Sequence, residues 1–189
     1  MKNSIAIAIA ILLLIPMGPV MAADAPYAGL QKRPVKALST QQQNDLRAGR
    51  GMGMALAAEL NNYPGPRHVL DLSEQLGLSA AQRSLVSGLF DEMSARAKPL
   101  GLRIVAAETR LDRLFAEKRV NDATLLAHTA DIARLNGELR YVHLRYHLTV
   151  RELLTDTQIG RYAELRGYRS GGASSGSAPA GHPGHGGHR

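Results

Sequence analysis

The sequence has no cysteine and no tryptophan, and only two phenylalanines and six tyrosines in 189 residues. Without cysteine, disulfides, thiolate zinc sites and cysteine nucleophiles are all excluded. An exported chain of this kind must be held together by packing or by association with a second copy. The shortage of aromatics leaves leucine and alanine to supply apolar surface, which suits thin helical layers. Long hydrophobic runs are also missing. The longest, Ile5 to Ile15, has eleven residues, too few for a hydrocarbon core of about 30 Å. It follows Lys2, is ended by Pro16, Gly18 and Pro19, and leads into Val20-Met21-Ala22. That pattern predicts a signal peptide over 1–22, cleaved near Ala22/Ala23, and a periplasmic product with no stable membrane insertion.

Lysine and arginine outnumber acidic residues 23 to 16, a formal charge of +7. In a cytoplasmic protein this excess would suggest nucleic acid. Export argues against that partner and leaves anionic lipid, lipopolysaccharide and acidic unfolded chains. There is no G-x-x-x-x-G-K-[ST] loop, so an ATP-driven cycle would lack its usual phosphate cradle.

Residues 23–37 carry two prolines and no apolar period, which predicts an extended arm. A short helix is expected from Ser39 to near Gly49. Met52, Ala55, Leu56, Ala58 and Leu60 can then share a second helical face, broken by "NNYPGP". A third short helix fits Arg67 to Leu76, with Gly77 at its C′ position. From Leu85 the apolar residues run Leu89, Met93, Ala97, Leu100, Ile104, Ala107, Leu111 and Leu114, the α-helical period. Pro99 falls inside this stripe without shifting its phase, so a kink is expected there and not an end. Leu125, Ile132, Leu139, Tyr146 and Leu153 recur every seven residues, interleaved with His128, Leu135, Val142 and Thr149. A seam of that period predicts coiled-coil-like packing against the preceding helix. The fold class is therefore all-α: a long antiparallel helical hairpin, first helix kinked at Pro99, with short flanking helices. The helical domain is placed at 38–169, and the Gly/Ser/His-rich segment 170–189 is expected to be a disordered tail.

One phrase is written three times: Leu38-Ser39-x-x-Gln42, Leu78-Ser79-x-x-Gln82 and Leu154-Thr155-x-x-Gln158. In each, the hydroxyl suits an N-cap and the glutamine falls at N3, the capping-box arrangement. Each cap contributes about 0.5–2 kcal/mol, so three helix starts explain the phrase structurally. Only Leu154, with Ile159 at N4, forms a complete hydrophobic staple. Over about Leu78 to Tyr168 the chain resembles the Spy/CpxP family of periplasmic proteins, whose hallmark is a repeated L-T-x-x-Q motif. Two copies here have serine for threonine, and "GRGMGMALAAELNNYPGPRHVLDL" lies outside the usual motif. The resemblance implies a helical cradle, a homodimer, that holds unfolded or misfolded periplasmic proteins without ATP as part of an envelope stress response. No arrangement of residues in the sequence points to catalysis, so no enzymatic activity and no required cofactor are expected.

Arg96, Arg103 and Arg110 are seven apart on the first long helix, and Arg134 and Arg140 add charge to the second. Basic side chains beside apolar grooves suit acidic, flexible clients, and a solvated helix face explains them equally well. The alternative function is metal binding or metal sensing. His182, His185 and His188 stand three apart among glycines and could converge on Zn, Cu or Ni. His143 and His147 are i, i+4 on a helical flank and can share an ion, although "HLRYH" lacks the glutamate of a zinc protease. Met52, Met54 and Met93 carry thioethers that suit cuprous copper, and helical packing explains them as well. Glu59 is the candidate neighbour of His68. "GASSG" at 172–176 matches G-x-S-x-G but lacks the strand and helix of a hydrolase elbow.

Overall fold

A computed structural model describes residues 25–168. The expected signal peptide and the tail with His182, His185 and His188 lie outside the described residues. Residues 25–32 are the described part of one unit, with turns leading into a 3-10 turn at Leu30–Lys32. From Arg33 the chain forms a second unit with six helices. These are α1 (Thr40–Arg47), α2 (Leu56–Glu59), α3 (Pro66–Asp71), α4 (Ala80–Ala116), α5 (Asp122–Leu153) and α6 (Asp156–Leu165). Among the described residues every regular element is helical.

Helices α4 and α5 form the expected antiparallel hairpin. Arg110 meets Asp131 near the turn at 3.7 Å, while Gln82 reaches the Leu153 carbonyl at the open end at 2.9 Å. The turn uses Lys118 in the left-handed region (φ 54°), and Asn121 caps α5 by accepting from the Thr124 amide. Helix α4 continues unbroken past Pro99, which, lacking an amide hydrogen, leaves the Ala95 carbonyl without its usual helical donor. Two apolar clusters hold the layers. One joins Val69, Leu76, Leu78, Val86, Val150, Leu154, Ile159 and Tyr162 at the open end. The other joins Leu46 of α1 to Ala97, Ile104, Ala107, Leu135 and Leu139 along the hairpin.

All three capping boxes form: Ser39, Ser79 and Thr155 accept from the amides of Gln42, Gln82 and Gln158, whose side chains accept in return from the N-cap amides. Two of them do more. The Gln82 side-chain amide donates to Gln158 Oε1 at 2.9 Å, and Gln158 donates back to Gln82 Oε1 at 3.1 Å. The second hydrogens go to the carbonyls of Leu153 and Leu76. Each glutamine thus accepts twice and donates twice, which uses its side-chain amide fully. The repeated phrase builds a reciprocal clasp across the hairpin's open end. Replacing Gln82 or Gln158 by alanine is expected to cost about 1–3 kcal/mol in urea unfolding, against about 1 kcal/mol or less for the unpaired Gln42. A double-mutant cycle should show coupling between 82 and 158, and strict additivity would deny the clasp any energetic role.

Several expectations are corrected. Leu85 is 55% exposed, and Val86, one heptad before Met93, takes the buried position. The face proposed for Met52 to Leu60 does not form. Gly49, Met52 and Gly53 all have positive φ, which turns the chain, and only Leu56–Glu59 is helical. Within it Ala58 and Glu59 are buried while Leu56 is exposed, as is the capping Leu60. Helix α3 ends at Asp71, not Leu76, but Gly77 still terminates the following turns. Its amide and that of Leu78 bond back to the Glu74 and Ser73 carbonyls, a Schellman pattern. The arm over 23–37 is not wholly extended: Val35 is buried and Lys36 pairs with Asp112.

Candidate functional site

The basic stripe is exposed but largely neutralised. Arg96 bonds Glu92 at 2.8 Å, Arg110 faces Asp131, and Arg134 bridges Asp131 and Glu138. Among the described residues, Arg103 and Arg140 have no acidic partner within ion-pair distance. The five arginines share no pocket. They sit along two helices: Arg96 and Arg134 are held by acidic residues of their own helix, and Arg110 by Asp131 across the hairpin.

Enclosed chemistry is found elsewhere, where the segment Gly49–Gly65 folds across the hairpin. Gly65 presses on His147 so closely that a Cβ there would lie 2.7 Å from the ring, and Gly51 covers His143. A half-open cleft of about 610 Å³ lies there, lined by Met93, Phe90, His68, His143 and His147 and, at its exposed edge, by Met52. His143 and His147 are therefore not flank residues. Both are buried, at 3% and 7% exposure, because the glycines let this segment approach. The His147 Nδ1 lies 2.7 Å from the Tyr63 carbonyl. A carbonyl only accepts, so Nδ1 carries a hydrogen, and the lone pair of the neutral form is on Nε2. His143 Nε2 is buried and has no hydrogen-bond partner among the described residues. Burial, and then the neighbouring His147, push the His143 pKa down.

Glu59 closes one side of this region. Its Oε1 accepts from the hydroxyls of Tyr162 and Tyr168, with His68 Nδ1 at 3.3 Å and Arg166 Nε at 3.5 Å. Its Oε2 is buried without a hydrogen bond, 3.7 Å from His147 Nδ1. Burial alone would raise this carboxyl. Hydrogen bonds from His68 and Tyr162, the charge on His68 and the Tyr168 bond together bring it down to about 2. Burial first, and then the Glu59 bond and charge, push the Tyr162 phenol up. The nearness of His68 and Glu59 is as expected from their positions around "YPGPR". The part played by Tyr162 and Tyr168 has no local sequence signal, because they come from α6 and its end, about 100 residues away.

No family model, curated protein or solved structure matches the chain. Among the described residues no group of three histidine, aspartate or glutamate side chains is arranged to hold a metal ion. The tail histidines, the other candidate ligands, lie outside the described residues.

Proposed function

We propose that the protein is a periplasmic, ATP-independent holdase of the Spy/CpxP type, which binds unfolded proteins on the outer surface of its helical hairpin. The observation that carries this reading is the face of α5 turned away from α4. Leu126, Ala130, Ala133, Gly137, Tyr141, Leu144 and Leu148 lie within about 80° of one another at 100° per residue. Leu126, Tyr141 and Leu148 are 69%, 62% and 54% exposed. Arg140 and Arg145, which have no acidic partner within ion-pair distance among the described residues, border this face on opposite sides, beside the paired Arg151 and Arg134. Apolar area offered weakly between cations suits an acidic, partly unfolded chain: charge speeds encounter and the apolar strip retains it. A solvent-facing helix surface without a binding role would more usually be polar.

The test is suppression of light scattering by an aggregating acidic client, in chelator and at low salt. Leu126→Ser, Tyr141→Ser and Leu148→Ser together should raise the concentration needed for half-suppression about tenfold. They should leave the melting temperature nearly unchanged, since none of the three is buried. Full suppression by the triple variant would sink this reading. Loss of suppression in the His182→Ala, His185→Ala, His188→Ala variant would move the function to the tail and to metal.

A further inference from the structure

We infer that His143 and His147, together with Met93 and Met52, form a site for one cuprous ion beneath the Gly49–Gly65 segment. The inference is separate from the holdase reading and uses a different part of the molecule. Three observations converge on it. First, His143 is almost wholly buried yet its Nε2 has no partner, an arrangement that costs free energy unless something occupies that nitrogen. Second, the Tyr63 carbonyl fixes His147 with its hydrogen on Nδ1. This is how ligating histidines are commonly oriented by their outer contacts, with the lone pair on Nε2 left for the ion. Third, Met52 is a non-glycine residue at φ 44°, set between Gly51 and Gly53. A strained backbone of this kind is costly, and it places Met52 at the edge of the cleft that Met93 lines.

The choice of ion follows from the donor set. Zinc and other borderline ions need three or four nitrogen, oxygen or thiolate ligands, and no such group of three is assembled among the described residues. Two imidazoles and one or two thioethers suit a soft monovalent ion, for which low coordination is enough. The ionised Glu59 carboxylate, with a spare oxygen 3.7 Å from His147, offsets the charge of a buried cation without having to ligate it.

The experiment is an anaerobic Cu(I) titration against a chromophoric Cu(I) chelator. It uses the full chain carrying His182→Ala, His185→Ala and His188→Ala, so that the tail cannot contribute. One equivalent should bind, and X-ray absorption should show sulfur in the first coordination sphere. Met93→Leu, which keeps volume and shape close to native, should weaken Cu(I) binding at least tenfold and leave zinc affinity unchanged. His143→Gln should weaken it further. Loss of all Cu(I) binding on substituting the tail would overturn the site. So would a Met93→Leu variant that binds as tightly as the parent, or a spectrum with no sulfur scattering.

Discussion

Gly101→Ala is expected to destabilise the fold by about 3 kcal/mol or more, although alanine is intrinsically the better helix former. A Cβ on Gly101 would sit 1.9 Å from the Leu46 carbonyl oxygen and 2.5 Å from its carbon. Both are backbone atoms, so no rotamer change can relieve the contact and α1 must move away from α4. Leu46 is 2% exposed and belongs to the cluster that joins α1 to the hairpin, so that movement also opens the core. For a chain of this size the melting temperature should fall by roughly 6–12 °C. Gly88 and Gly137 supply the control. Both are interior to helices, and a Cβ at either meets nothing within 4 Å. Alanine there should stabilise by about 0.5–1 kcal/mol. Thermal melts by circular dichroism of the three variants would decide it. Equal behaviour at all three positions would mean that the close approach of α1 is not made in solution.

The second large effect is a loss of stability in acid that depends on Glu59. Its folded pKa of about 2 lies below the ordinary 4.5. The folded state therefore binds the proton less readily than the unfolded chain. The corresponding stabilisation is fully present above about pH 4.5 and is lost as pH falls toward 2. The shift corresponds to on the order of 3 kcal/mol for a carboxylate this well buried. Glu59→Gln keeps the shape and removes the charge. It should lower stability at pH 7 by a similar amount and flatten the slope between pH 4.5 and 2. Urea unfolding at a series of pH values gives both quantities. A variant that keeps the parent's slope would assign the acid sensitivity to other carboxylates.

What could be read from the sequence follows the distance over which each interaction acts. Capping boxes were legible because cap and partner amide lie three residues apart, so the residues themselves specify the bond. The clasp between Gln82 and Gln158 was not, since nothing local distinguishes those copies from the one at Gln42. Periodicity placed the hairpin and carried α4 through Pro99. It misjudged the first turn by starting the stripe at Leu85, eight before Met93, where Val86, seven before it, is the buried residue. The short helices were the least legible. There, glycines at positive φ override an apolar pattern that reads as helical. The close approach at Gly101 had a signal in the small pair Ala97 and Gly101, four residues apart, but the segment that fills the gap lies more than 50 residues earlier. The burial of His143 and His147 depends likewise on what Gly51 and Gly65 permit.

The two apolar clusters and the clasp all lie toward the open end and middle of the hairpin. Toward the turn, beyond about Asp112 on α4 and before Ile132 on α5, neither cluster has a member among the described residues. Phe115 is 53% exposed and Leu126 69%. Opening free energy is lowest where buried contacts are fewest, so local unfolding starts at this tip while the base stays closed. This unit thus has a better-packed base and a yielding tip, and of the exposed apolar side chains along α5, Leu126 lies at the tip while Tyr141 and Leu148 lie toward the base.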